Sequence, residues 1–127
     1  MSSFSANRLV LYVEDDRINI VLMEEVFRRL PGWQLECAED GAQALSLLQS
    51  LAPALLLIDM NLPDMNGLQL LAEIQARHGD AAPRCVALSA DALDEQTATA
   101  LAAGFCDYWT KPIDVPRLEA VLRQMLG

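Results

Sequence analysis

The stretch LLLIDMNLPDMNG at residues 55–67 carries the strongest indication of the fold. Its four leading apolar residues, Leu55–Ile58, are typical of a strand that is buried on both faces, as in a parallel sheet covered by helices. The run ends at a carboxylate, Asp59, and the chain then turns through Pro63 and Gly67. Ligands of parallel sheets bind beyond the carboxyl ends of the strands, so we expect the Asp59 carboxylate to face such a site.

Outward from this strand, β-like segments alternate with helical patterns along the whole chain. Strands are predicted at Leu9–Val13, Gln34–Ala38, Ala54–Ile58, Arg84–Ala90 and Phe105–Thr110. Helices are predicted at Ile18–Leu30, Ala42–Leu51, Leu68–His78, Glu95–Ala103 and after Asp114. The predicted fold class is therefore α/β, with a doubly wound parallel sheet of five strands and helices on both of its faces.

Local patterns predict how some of these helices begin and pack. The first helix has an apolar stripe at helical spacing, which we expect to face the core: Ile18, Leu22, Val26 and Leu30. Asp94 and Asp114 are expected to cap the helices that follow them, and Asp16 is interpreted as a helix cap or turn residue. Asp64 is interpreted as a loop residue rather than a metal ligand.

The composition indicates one compact domain. With 127 residues, 53% of them hydrophobic, we expect a short polar tail at residues 1–7 and a single domain at residues 8–127. The net charge of −9 repels phosphate backbones, so direct nucleic-acid binding is not expected. No apolar run approaches the roughly 18 residues that span a bilayer, so membrane insertion is not expected either.

The three cysteines, Cys37, Cys85 and Cys106, are far apart in the sequence. Their number is odd and their spacing lacks a CxxC pattern, which disfavours a metal-binding or redox role. We interpret them as small buried residues in a reducing compartment, and we expect a cytoplasmic location.

The residues near the carboxyl ends of the predicted strands place ionisable and hydroxyl side chains at one edge of the sheet. Glu14 and Asp15 follow the first strand and Asp59 follows the third, whereas Ser89 ends the fourth and Lys111 follows the fifth. Neighbouring carboxylates repel one another, and a divalent cation with oxygen ligands would offset that repulsion. We expect Mg²⁺ in this role, with Mn²⁺ as the alternative ion. An ammonium and a hydroxyl beside the metal suit a phosphoryl group in transfer, with Asp59 as the nucleophile.

Four motifs in order resemble the receiver domain of two-component response regulators. They are VEDD at 13–16, DMNLPDMNG at 59–67, ALSA at 87–90 and YWTKPID at 108–114. The resemblance covers about residues 8–126 and implies a flavodoxin-like sheet with strand order 2-1-3-4-5.

The resemblance also implies roles for the acidic residues. Asp59 is the expected phosphoacceptor, loaded by the phosphohistidine of a partner sensor histidine kinase or histidine phosphotransfer protein. Glu14, Asp15, Asp59 and the main-chain carbonyl of Asn61 are the expected Mg²⁺ ligands. Glu14 stands where Asp is commoner in the family, a change that lengthens the side chain and keeps its charge.

Further roles implied by the resemblance concern signal output. Ser89 is the expected hydroxyl switch residue and Tyr108 the aromatic one, acting on a face formed by the fourth helix, fifth strand and fifth helix. Lys111 is the expected phosphoryl-binding lysine, and the peptide bond from Lys111 to Pro112 is expected to be cis. The output partner is an unknown protein or effector domain.

Two other functions fit part of the pattern. One is a Mg²⁺-dependent phosphohydrolase that forms an aspartyl phosphate, although such enzymes usually carry a second acid where this chain has Asn61. The other is a receiver-like module that binds partners without being phosphorylated. We expect instead a switch that catalyses only its own phosphorylation and dephosphorylation and is not an enzyme acting on a metabolite. It is expected to be a stand-alone regulator or a domain of a hybrid histidine kinase.

Overall fold

In a computed structural model, which describes residues 8–91 and 93–126, five parallel strands form one sheet in the order β2-β1-β3-β4-β5. The strands are Leu9–Val13 (β1), Gln34–Ala38 (β2), Leu55–Asp59 (β3), Arg84–Ser89 (β4) and Asp107–Thr110 (β5). The helices are Arg17–Arg28 (α1), Gly41–Leu47 (α2), Gly67–His78 (α3), Asp94–Ala103 (α4) and Val115–Leu126 (α5). The predicted doubly wound fold and its strand order are confirmed. The tail predicted at residues 1–7 lies outside the described residues.

The central position of β3 explains its unbroken apolar sequence. β1 and β4 pair with its two edges and helices cover both faces, so Leu55–Ile58 have no exposed surface. One core lies between the sheet and α2, α3 and α4, and the other lies between the sheet and α1 and α5. Asp59 is the last residue of β3 and pairs in register with Leu88, so its backbone is fixed by the sheet.

Side chains of β1 alternate between the two cores, as a strand requires. Leu11 and Val13 belong to the core of α2, α3 and α4, whereas Val10 and Tyr12 belong to the core of α1 and α5. Glu14 continues the second series and is therefore expected on the same side as Tyr12.

The prediction for the packed face of α1 was wrong for its first two residues, Ile18 and Leu22, which are 70% and 59% exposed. The other two, Val26 and Leu30, are half-buried and pack against the core. The residues of α1 that enter the core fully are Ile20, Met23 and Phe27.

Helix caps agree with the sequence at two of three positions. The Asp16 carboxylate accepts a hydrogen bond from the Ile18 N–H at 2.9 Å and caps α1, and the Asp114 carboxylate accepts one from the Arg117 N–H at 3.2 Å. Asp94 is instead the first residue of α4, and the residue at the cap position, Leu93, makes no side-chain cap bond.

The cysteines are free thiols in three different environments. Cys85 is buried as predicted, but Cys37 is half-buried and Cys106 is exposed, so the prediction of burial was wrong for Cys106. Burial raises the pKa of the Cys85 thiol to about 12. Within the described ranges, no helix has the length and apolar character needed to cross a membrane.

Candidate functional site

Three of the predicted site residues meet in one ion-paired cluster at the carboxyl edge of the sheet. Lys111 Nζ, just past β5, donates to Glu14 Oε1 at 2.8 Å and to Asp59 Oδ2 at 2.9 Å. The Glu14 and Asp59 residues are only 1% and 5% exposed. The parallel sheet thus brings together side chains separated by 97 and 52 positions in the sequence.

The cluster shifts the titration of its members in opposite directions. Burial raises the pKa of the Asp59 carboxyl, and the neighbouring Glu14 adds to this, against hydrogen bonds from Asn61 and Lys111. Burial also acts to raise the pKa of Glu14, but hydrogen bonds, of which that from Lys111 is the strongest, hold the pKa of Glu14 below its usual range. Burial opposes ionisation of Lys111, yet its two carboxylate partners raise the pKa of this ammonium, so it remains charged.

The oxygen atoms of this edge fit a hard divalent cation. Ligand oxygens of Glu14, Asp15 and Asp59 all lie within 4.8 Å of one another. Asp15 is exposed, whereas the other two are buried, so one side of the cluster is open to solvent. The Asn61 N–H donates to Asp59 Oδ1 at 3.0 Å, which holds the main chain of Asn61 beside the cluster. Carboxylate and carbonyl oxygens with room for water are the ligands that Mg²⁺ prefers.

Asp64 ties the loop that carries Asn61 to the start of α2. Its two carboxylate oxygens accept hydrogen bonds from the main-chain N–H groups of Gly41 and Ala42, each at 2.9 Å. Gly41 also lies against Met65, whose side chain would have to move to make room for a Cβ at position 41. The prediction that Asp64 is a loop residue is confirmed, but its partner is the start of α2, a tertiary contact that the sequence did not reveal.

Ser89 and Tyr108 meet through the main chain of one residue. The Ser89 Oγ accepts a hydrogen bond from the Asp91 N–H at 3.1 Å, and the Tyr108 hydroxyl donates to the Asp91 carbonyl at 2.9 Å. The Tyr108 hydroxyl is also 3.2 Å from Gln96 Oε1, on α4. Both predicted switch residues are therefore buried and joined to the segment between β4 and α4.

Sequence reasoning missed Tyr12. Its hydroxyl donates to Glu14 Oε1 at 2.9 Å, the same oxygen that accepts from Lys111. The signal was available, because a tyrosine two residues before an acid on a strand shares its face. The other residues of that strand, LVLYV at 9–13, are all aliphatic, so the pattern indicates apolar packing for Tyr12 as well.

A groove of about 600 Å³ opens beside the cluster, between α1 and the segment after β5. The residues that line it include Tyr12, Leu22, Lys111, Pro112 and Ile113. The Lys111–Pro112 peptide bond is cis. Lys111 therefore belongs both to the acidic cluster and to the wall of an apolar groove.

The fold and site together define a class: a doubly wound sheet whose carboxyl edge holds an acidic cluster, a lysine and a hydroxyl side chain. The sequence matches the response regulator receiver domain over residues 10–123, and the chain belongs to that family.

Similar proteins come from several kinds of regulator. The chain is 34% identical over 116 residues to the aerobic respiration control sensor protein ArcB of Escherichia coli K12, covering 91% of this chain and 15% of that protein. It is 34% identical over 119 residues to the transcriptional regulatory protein TrcR of Mycobacterium tuberculosis, covering 92% of this chain and 44% of that protein. The chain thus spans less than half the length of either relative.

A solved structure shares both fold and sequence. The receiver domain of the sensor histidine kinase PA1611 from Pseudomonas aeruginosa is 30% identical, with a TM-score of 0.82 and coverage of 96% of this chain and 99% of that one. That structure has a magnesium ion coordinated in its active-site cleft.

Proposed function

We propose that this chain is a phospho-acceptor switch in which Asp59 receives a phosphoryl group from the phosphohistidine of a sensor histidine kinase or phosphotransfer protein. The single observation that carries the proposal is the buried Asp59 carboxylate, which is held by Lys111 beside Glu14 and Asp15. A structural salt bridge would need only one carboxylate, whereas this site holds a surplus of negative charge.

Mg²⁺ is the proposed cofactor, held by the carboxylates of Glu14, Asp15 and Asp59 and by the carbonyl of Asn61. When bound, it would neutralise these carboxylates and bind oxygens of the phosphoryl group. The oxygen-only ligand set supports this ion.

In the proposed transfer, an Asp59 carboxylate oxygen forms a bond to phosphorus as the bond from phosphorus to the histidine nitrogen breaks. The electron pair of the broken bond stays on the imidazole, whose other nitrogen already carries a proton, so the imidazole leaves as the neutral base. Lys111 uses two of its three N–H donors on Glu14 and Asp59, and its ammonium stabilises the negative charge on the phosphoryl oxygens. The protein catalyses this step and the later hydrolysis on itself, and no metabolite is a substrate.

Phosphorylation would then act on the switch residues. The new group adds about −1.5 to −2 charges and three acceptor oxygens. If the Ser89 side chain turns toward Asp59 to donate to one of those oxygens, its movement would change the hydrogen bond that Oγ accepts from the Asp91 N–H. Tyr108 is bonded to the carbonyl of the same residue, so the change would reach the face formed by α4, β5 and α5. This face is the proposed surface for the output protein or effector domain.

Intact mass spectrometry tests the proposal. Incubation with acetyl phosphate and Mg²⁺ is expected to add one phosphoryl group to the native protein and none to Asp59→Asn, because the amide is not a nucleophile. Asn is close in size to Asp, so the fold is expected to survive. Addition of a phosphoryl group to both proteins, or to neither, would overturn the assignment of Asp59, and many turnovers of a phosphomonoester would favour the phosphohydrolase.

The phosphohistidine donor is proposed to dock on α1. Ile18, Val21 and Leu22 are 70%, 49% and 59% exposed and form an apolar patch on one face of α1, of which Leu22 also lines the groove. Lys111 lies in the wall of that groove and 2.9 Å from Asp59, so a donor domain seated on the patch would be close to the phosphoacceptor.

A charge placed in this patch is expected to slow transfer from a protein donor but not from the small donor acetyl phosphate. Leu22→Asp should slow transfer from a phosphorylated phosphotransfer domain that loads the native protein by about tenfold or more, because it buries a carboxylate in the contact. Uptake from acetyl phosphate should be unchanged, since a small donor needs no docking. Leu101→Asp, on α4 and 46% exposed in the native protein, is the matched control and should affect neither rate. Equal loss with both donors would contradict docking on α1.

The same proposal places the protein in the cytoplasm, which its free thiols support. We propose either a stand-alone regulator or a domain of a hybrid histidine kinase; the sensor histidine kinase receiver among the similar structures supports the second, and the similar transcriptional regulatory protein is covered over only 44% of its length.

A further inference from the structure

Tyr12 places a polar group where only apolar packing would be expected. The residue is 2% exposed and lies in the core between the sheet and α1 and α5. Its hydroxyl donates to Glu14 Oε1 at 2.9 Å. Tyr12 lies in β1 and Glu14 directly follows it, with its N–H donating to the Ala38 carbonyl of β2 at 2.9 Å, so both partners are anchored by the sheet.

Glu14 needs more restraint than an aspartate would. Its additional methylene adds a rotatable bond, so the carboxylate can leave the cluster in more ways. Oε2 accepts a hydrogen bond from the Asp16 N–H at 3.2 Å, and Oε1 is shared by Tyr12 and Lys111.

The two side chains that donate to Glu14 Oε1, Tyr12 and Lys111, differ in whether they have other partners. Lys111 also binds Asp59 and, in the proposed function, is shared with the incoming phosphoryl group. Within the described residues, the Tyr12 hydroxyl has no other hydrogen-bond partner, and its ring packs in the core. If phosphorylation draws Lys111 away from Glu14, the Tyr12 hydroxyl would be the side-chain donor that stays.

We propose that Tyr12 is a positioning residue that holds the Glu14 carboxylate in the metal site and thereby sets the affinity for Mg²⁺. The inference rests on the proposed function insofar as Glu14 is taken to bind the ion. It assigns a role to a residue that touches neither the phosphoryl group nor the metal. Hydrogen-bond partners of metal ligands commonly change metal affinity by about 10- to 100-fold.

A four-protein cycle tests the proposal: the native protein, Tyr12→Phe, Glu14→Asp and the double variant. Mg²⁺ dissociation constants are measured by titration calorimetry without any phosphodonor. Tyr12→Phe is expected to weaken binding about tenfold when residue 14 is Glu. It should change binding less than about twofold when residue 14 is Asp, because the shorter side chain no longer reaches the hydroxyl.

A second readout separates positioning from damage to the site. With acetyl phosphate, Tyr12→Phe should need more Mg²⁺ for half-maximal phosphorylation but reach the native rate at saturating Mg²⁺. An unchanged Mg²⁺ affinity in Tyr12→Phe, or an equal loss in both backgrounds, would overturn the role of Tyr12. If the native protein takes up phosphate normally in that case, only this inference fails. If the native protein binds no Mg²⁺ at all, the proposed function fails with it.

Discussion

Lys111→Met is expected to slow phosphorylation of Asp59 by acetyl phosphate by about two to three orders of magnitude, at saturating Mg²⁺. The native ammonium lies 2.9 Å from Asp59 Oδ2, next to where phosphoryl oxygens would gain charge in the transition state. Methionine has a similar length and no charge, so it removes the electrostatic contribution and keeps most of the packing. The rate is measured by intact mass over time.

Lys111→Met is also expected to affect Mg²⁺ affinity and stability in different ways. Its Mg²⁺ affinity should not fall, because a competing positive charge has been removed from the acidic cluster. Its free energy of unfolding without Mg²⁺ should fall by about 3 kcal/mol, because Glu14 and Asp59 remain buried without their cation. Lys111→Arg, which keeps the charge, is the control for stability. A native phosphorylation rate in Lys111→Met would contradict the assigned role.

Removal of divalent cations is expected to abolish phosphorylation and to lower the melting temperature. Binding of an ion to the folded state alone stabilises it by about 2.7 kcal/mol at 100 times the dissociation constant. For a domain of this size, that corresponds to a shift of about 10 °C. Thermal unfolding followed by circular dichroism, in excess Mg²⁺ and in excess chelator, measures the shift.

Asp15→Asn provides the control for where the ion binds. Asp15 is the exposed member of the cluster, so its replacement leaves the buried ion pairs of Lys111 in place. The variant should fold normally but show a much smaller Mg²⁺-dependent shift in melting temperature. A shift equal to that of the native protein would place the ion outside this cluster.

The sheet could be predicted from the sequence because three of its strands, β1, β3 and β4, are nearly continuous apolar runs between turns. β1 and β2 have the predicted bounds, and β3 is displaced by a single residue. The packed face of α1 could not be predicted, because two stripes at helical spacing compete, one of them containing Ile18 and Leu22. Which stripe faces the sheet depends on the rotation of α1 about its own axis, and tertiary packing sets this rotation.

The cluster of Glu14, Asp59 and Lys111 was predictable because parallel strands carry their final residues to one edge. The contacts that support it were not. Asp64 reaches the start of α2 across more than 20 positions, and no local pattern encodes that distance. The role of Asp91 is likewise carried by its backbone, which any residue would supply.

The site joins residues that follow the first and the last strand in the sequence, so it depends on the pairing of the last strand. Lys111 follows β5, a four-residue strand at the outer edge of the sheet, and reaches back to Glu14 beyond β1. Fraying of this one outer strand would therefore withdraw the lysine while most of the core remained packed. Under the proposed function, a chain in which β5 is unpaired would therefore lose its phosphoryl-binding lysine and accept phosphate poorly.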